Sequence, residues 1–254
     1  MDWLLPFRPL EGGPLTAPEI PRRLLRHLIR IGNISIGSKV LDAGCGFGEL
    51  TRFFDELAID VSGADESPER IAAAQAAAGH LNYACCRASI AMPFPDQSFH
   101  VVLAREVSEH RQDLLSHEAL RATAHLLATL RPMGCLIVTS RLESSWSNQP
   151  GGHLQTCFQQ HLECFPGLCQ VSYLVDSLVD ATTWKWMLGQ QPRAGFITAA
   201  LTISQTRRSC REWEQIADQA ASSRKQHCCA WSEQAAANAA QDAAESQQPS
   251  KTAA

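Results

Sequence analysis

From residue 39 onward, short β-branched apolar runs alternate with longer segments whose apolar residues recur every three to four positions. This pattern predicts βαβ units around a parallel sheet. Strands are expected at Lys39–Ala43, Asp60–Ala64, Asn82–Cys86, Phe99–Ala104 and Cys135–Thr139, with helices at Glu49–Leu57, Pro68–Ala78 and Leu114–Leu130. Two later runs, Cys169–Ser177 and Gly195–Ser204, read as a hairpin-like end to the sheet, giving seven strands in an α/β domain. Ahead of the first strand, Pro21–Ile31 reads as a helix with Leu24, Leu25, Leu28 and Ile31 on one side and Arg22, Arg23, Arg26 and Arg30 on the other.

The flanks read differently. Residues 1–20 are punctuated by proline and glycine and suit an irregular arm. Residues 205–254 are rich in alanine, glutamine and serine, with Ile216 as their one branched aliphatic. They are expected to form a disordered or partly helical tail, with a short helix around Trp213 and Ile216. The body between, 21–204, is the expected domain. No apolar stretch reaches the ~18 residues of a membrane-spanning helix. The first residues lack the basic start and apolar run of a secretory signal. With ten cysteines spread over 254 residues, reduced thiols and a cytoplasmic location are expected. A net charge of −4 supplies no broad positive field, so nucleic acid is not expected as the partner.

The chemistry concentrates where the first strand ends. Lys39-Val40-Leu41-Asp42-Ala43-Gly44-Cys45-Gly46-Phe47-Gly48-Glu49-Leu50 runs from a strand through three glycines into a helix. Such glycines adopt positive φ and let a ligand approach the backbone. Asp65, at the end of the second strand, can accept both hydroxyls of a ribose, so a nucleoside-bearing cofactor is expected. A dinucleotide loop spaces its glycines G-x-G-x-x-G. Here the third glycine comes one residue early, and Asp42 and Glu49 place carboxylates where a pyrophosphate would be repelled. S-adenosyl-L-methionine carries a sulfonium and an ammonium but no phosphate, and suits an acidic loop.

Five segments in order then match one family. Val40 to Leu50 resembles motif I of the class I S-adenosylmethionine-dependent methyltransferases, and Asp65-Glu66-Ser67-Pro68 resembles their acidic second-strand terminus. Met92-Pro93-Phe94-Pro95-Asp96-Gln97-Ser98-Phe99 resembles the proline–phenylalanine loop of the small-molecule branch. Glu106-Val107-Ser108-Glu109-His110 resembles the segment after the fourth strand, and Leu130-Arg131-Pro132-Met133-Gly134 the turn before the fifth. The resemblance implies a doubly wound, Rossmann-like, mostly parallel sheet with its last strand antiparallel and helices on both faces. It also implies that Gly44, Cys45 and Gly46 line the methionine part of the donor, with Asp42 holding the loop or the ammonium. Asp65 would bind ribose, while Glu66, Ala88 and Ser89 flank adenine. The sequence departs from the family at Ala88, where an acidic residue often accepts from the adenine amine, and at His100 and Met133.

For the acceptor side, His110 is the candidate base and Arg105, Glu106, Trp146 and His153 are the candidate substrate contacts, with His153 read as lying in a loop. Trp184 and Trp186 read equally as pocket walls or as anchors of another element. Cys157, His161 and Cys164 tempt a zinc reading, but their spacing is that of the inward stripe of a helix, so no metal is expected. The segment after the fourth strand lacks the N/D-P-P-Y of base-nitrogen methylation and the cysteine of cytosine-C5 chemistry. The expected activity is methyl transfer to a small-molecule or lipid-like acceptor. The rivals are a non-catalytic module of the same fold and a nicotinamide-dependent oxidoreductase.

Overall fold

In a computed structural model of the chain, residues 22–112, 114–141, 153–175 and 195–223 are described. The elements run α1 (Arg22–Ile31), β1 (Lys39–Ala43), α2 (Glu49–Glu56), β2 (Asp60–Asp65), α3 (Pro68–Ala77), β3 (Asn82–Cys85), β4 (Phe99–Arg105), α4 (Ser108–Gln112), α5 (His117–Thr129), β5 (Leu130–Arg141), α6 (His153–Glu163), β6 (Gly167–Val175) and β7 (Gly195–Ile203). A further helix, α7, spans 210–223.

The seven strands form one sheet in the order β3-β2-β1-β4-β5-β7-β6. β1 to β5 pair in parallel, and β7 runs antiparallel to both β5 and β6, so six strands point one way and the last in sequence points back. The alternation of side chains along each strand separates two apolar layers. Val40, Val101, Leu103 and Ile137 face α1 and α2, meeting Leu24, Leu28, Leu50 and Phe54. Leu41, Val102, Leu136 and Val138 face the opposite side, meeting Leu120 and Leu127 of α5, Phe158 and Leu162 of α6, and Trp213 of α7. Both faces being covered is what allows strands of continuous apolar character.

Helix starts follow the local chemistry. Ser67 caps α3, accepting from the Arg70 amide at 3.3 Å, with Pro68 in the first turn. Ser116 caps α5 by accepting from the Ala119 amide at 3.1 Å, which starts this helix three residues later than its apolar periodicity suggested. β5 begins at Leu130, beside Phe99, rather than at Cys135. The turn within it carries Met133 at φ +65°, a left-handed conformation that glycine adopts more readily. His153 opens α6 instead of lying in a loop, because Phe158, His161 and Leu162 give that segment a buried face. The packed unit also continues past residue 204. Trp213, Ala217 and Ala221 recur every fourth residue on α7 and are buried against the sheet. His100 receives the Lys39 amide on Nδ1 at 2.8 Å and joins the starts of β4 and β1.

Candidate donor-binding site

The switch from β2 to β4 on either side of β1 leaves a crevice at the carboxyl ends of the strands, where open α/β sheets take ligands. A pocket lies there. Ala43 and Gly44 line it from β1, Ala64, Asp65 and Glu66 from β2, and Arg70 from α3. Cys86, Ala88 and Met92 follow β3, and Glu106, Val107, Ser108 and Glu109 follow β4.

The loop after β1 is glycine for steric reasons. Gly44 sits at φ +78°, and a Cβ there would come within 1.9 Å of the Arg105 carbonyl oxygen. At Gly46, φ +56°, nothing lies within 4 Å of where a Cβ would stand, so a ligand can reach this backbone. The amides of Gly44 and Cys45 both donate to the Ala64 carbonyl, at 2.7 and 2.9 Å, which ties the loop to β2. Asp65 completes the tie. Its Oδ2 accepts from the Gly46 amide at 2.9 Å and from Arg70 Nη1 at 3.4 Å, and its Oδ1 from the Ser67 amide at 2.9 Å. A carboxylate has about four acceptor positions, so Asp65 retains capacity toward the pocket.

Of the two tasks expected of Asp42, the structure shows the holding of the loop. It is fully buried and does not line the pocket. Arg105 Nε and Nη2 donate to its two oxygens at 3.0 and 3.3 Å, and Thr51 Oγ1 donates at 2.9 Å. Asp42 therefore clamps the end of β4 and the first turn of α2 onto the loop, and its charge is neutralised. Arg105, expected at the substrate, is committed to this pair for the same reason. Cys45 is buried beside Tyr83 and Ile71 in a small apolar cluster; burial, then the carboxylates of Asp42 and Asp65, raise its thiol pKa far above the ordinary value. It is packing rather than a nucleophile.

The carboxylates that do line the pocket are Asp65, Glu66, Glu106 and Glu109, facing one guanidinium, Arg70. Glu109 belongs to the segment after the fourth strand that the sequence placed at this end of the sheet. Burial would raise its pKa, but hydrogen bonds outweigh that and hold it below the ordinary carboxylate value. The Ser89 amide donates to Oε1 at 2.8 Å and Ser108 Oγ to Oε2 at 3.0 Å, with Arg87 Nε 3.6 Å away. Ser108 Oγ also lies 2.9 Å from Glu66 Oε2. Ser89 thus meets Glu109 through its amide and its side chain together. The visible signal for Glu109 was its place beside His110, and for Arg70 its place one turn into a helix capped by Ser67.

His110 turns away from the pocket. It is 3% exposed, and burial pulls its pKa down to about 4 despite the neighbouring Glu109. Its Nε2 lies 2.9 Å from Thr123 Oγ1, which in turn lies 2.7 Å from His161 Nε2; His161 Nδ1 bonds to the Leu114 carbonyl. An interior imidazole on this chain does not meet a substrate, so His110 is not the base. His161, on the helix stripe once weighed for zinc, is spent on the same chain. Trp146, Trp184 and Trp186 lie outside the described residues, as does the side chain of His153.

A family model described as "Methyltransferase domain" matches residues 41–138, which span the loop, Asp65, the pocket carboxylates and β5. The segment from the end of β1 to β5 is thus similar to a methyltransferase domain. Among curated proteins, the chain is 37% identical over 120 residues to a ubiquinone biosynthesis O-methyltransferase of Bradyrhizobium sp., covering 46% of the chain and 44% of that relative. It is likewise 37% identical over 130 residues to the protein of the same description from Bradyrhizobium diazoefficiens, covering 50% and 48%. The matched stretch therefore spans less than half of these relatives. Solved structures share the fold: the YcgJ protein of Bacillus subtilis at TM-score 0.51 and 16% identity, covering 72% of this chain and 98% of that one. A Haemonchus contortus phosphoethanolamine N-methyltransferase solved with S-adenosylhomocysteine aligns at TM-score 0.53 and 17% identity, covering 72% and 53%. No helix among the described residues is long and apolar enough to cross a membrane.

Proposed function

We propose that this chain binds S-adenosyl-L-methionine in the pocket at the ends of β1–β4 and directs methyl transfer to a small-molecule or lipid-like acceptor. The observation that carries the reading is the charge of the lining: among the described residues, four carboxylates against one guanidinium, beside the glycine loop at Gly44. That wall suits a cationic donor and opposes a pyrophosphate. It also disfavours the nicotinamide reading. When bound, the donor supplies an electrophilic methyl carbon on a sulfonium, and an acceptor lone pair displaces the thioether in line.

The protein's contribution is placement. The Gly44–Gly46 backbone receives the amino-acid end, Asp65 the ribose hydroxyls, and the Glu66, Ala88 and Ser89 region the purine. Holding two reactants in line supplies up to about 7 to 11 kcal/mol of the barrier in favourable cases. Glu106, on the exposed lip, is the carboxylate we assign to the acceptor side. The curated relatives' description as O-methyltransferases supports an oxygen acceptor.

Calorimetric titration tests the donor half. S-adenosylhomocysteine should saturate the protein while NAD and NADP produce no heat, and Asp65→Ala should weaken the binding at least tenfold. Saturation by NAD instead would sink the reading. Release of S-adenosylhomocysteine from S-adenosylmethionine in the presence of phenolic or aliphatic hydroxyl acceptors tests the transfer half. Tight binding with no turnover across such acceptors would favour the non-catalytic module.

A further inference from the structure

We propose that α7 belongs to the donor site, and that Glu214 acts through His125 as a positioning residue for the pocket wall at Ala88. The inference rests on the donor reading above and extends it to a helix outside the matched family segment, residues 41–138.

His125 sits on the inner side of α5 and is 3% exposed. Its Nδ1 lies 2.6 Å from the carbonyl oxygen of Ala88, a pocket-lining residue, and its Nε2 lies 2.8 Å from Glu214 Oε1 on α7. The ring therefore bridges the Ala88 carbonyl, 37 residues before it, and the Glu214 carboxylate, 89 residues after it. Glu214 is itself held by Arg121 Nη2 at 3.3 Å, one turn before His125. The carboxylate pKa lies below its ordinary value, set first by the His125 hydrogen bond, in keeping with the geometry.

The loop after β3 is held at its start by the Cys86 amide on the Asp65 carbonyl at 3.0 Å and folds on itself through the Ile90 and Ala91 amides on the Arg87 carbonyl at 3.0 and 3.2 Å. The Ser89 amide is taken by Glu109, and the Ala88 carbonyl by His125. Between those bonds, the wall against which a purine would lie is pinned at Ser89 from α4 and at Ala88 from α5, whose His125 is held in turn by α7. Removing the carboxylate on α7 frees the imidazole to turn and frees Ala88 with it. The pocket then has to order this wall at the moment of binding, and affinity falls.

Cys210 lies one turn before Glu214, and its sulfur, the His125 ring and the Glu214 carboxylate are mutually within 4.8 Å. A divalent cation is the rival occupant of this cluster. Arg121 already places a positive charge on Glu214 Oε1, and the 2.8 Å nitrogen–oxygen distance is that of a direct hydrogen bond, which favours the clasp.

The test uses the full-length chain and the variants Glu214→Ala, Glu214→Gln, His125→Gln and Cys210→Ser. Affinity for S-adenosylhomocysteine is titrated at a temperature well below each variant's Tm, beside amide exchange of the 86–92 segment without ligand. The clasp predicts about tenfold weaker binding and faster exchange in Glu214→Ala, substantial rescue in Glu214→Gln, which keeps an acceptor oxygen, and no change in Cys210→Ser. If Glu214→Ala lowers Tm but leaves both affinity and exchange at parental values, α7 is merely structural and the proposal fails. It fails equally if Cys210→Ser copies Glu214→Ala and the parent loses affinity after dialysis against EDTA, since the cluster would then be a metal site. Should Glu214→Ala not fold, His125→Gln carries the same expectations. A parent that binds no S-adenosylhomocysteine overturns the donor reading, and the exchange of the 86–92 segment still decides the clasp.

Discussion

At the scale of single residues, the site is organised by one buried ion pair. Asp42 and Arg105 come together because β1 and β4 are neighbours in register, Ala43 opposite Ala104, although 63 residues separate the two charges. No local pattern in the sequence announces such a pair. For that reason the sequence leaves Asp42 open between holding the loop and meeting the ammonium, and Arg105 reads as a substrate contact. Gly44, Gly46 and Asp65, by contrast, are legible because their roles depend on backbone conformation and on position at a strand end. Breaking the pair tests the assignment. Arg105→Ala leaves a fully buried carboxylate without its guanidinium and should cost about 3 to 5 kcal/mol in chemical denaturation. The double change Asp42→Asn with Arg105→Met should recover a good part of that loss. If Arg105→Ala instead leaves stability unchanged and abolishes turnover, Arg105 belongs to the substrate after all.

At the scale of elements, the central strands were readable because burial on both faces leaves continuous apolar runs, and the boundaries of β1 coincide with the expected ones. Boundaries set by side-chain caps or by pairing were less so. The Ser116 cap starts α5 late, and Leu130 joins β5 only because Phe99 lies beside it. α7 was foreseen as a short helix around Trp213 and Ile216, but its attachment was hidden because small alanines make up much of its inward face. Trp213 is 1% exposed, near Phe165 of the turn after α6 and beneath the Arg208 guanidinium, 5.1 Å from the ring centre. Trp213→Ala should therefore cost about 3 to 5 kcal/mol, an effect expected of a core residue and not of a tail. A loss under about 0.5 kcal/mol in urea denaturation would show that α7 is not part of the folded unit.

At the scale of the whole molecule, stability should depend on pH through the interior histidine chain. The folded pKa of His110, about 4, lies below the ordinary value near 6.5. Between those values the unfolded chain takes up a proton that the folded one refuses. The His110 contribution is present above about pH 6.5 and is lost as pH falls toward 4, to a total of about 3 kcal/mol, with no further change below. His27 and His100, whose values are also lowered by burial, act in the same direction. Urea denaturation from pH 7 to 4 should show this decline, and His110→Asn, which keeps a donor for Thr123, should flatten it. An unchanged slope in that variant would place the proton uptake elsewhere.

The sheet order carries one more consequence, for synthesis of the chain. Among the described residues, β6 pairs with the sheet through β7 alone, which lies between it and β5. On a ribosome, β6 must wait as an unpartnered strand until residues 195–203 have emerged. A polypeptide stopped within that interval would lose two strands rather than one, leaving two bare edges open to adhesion.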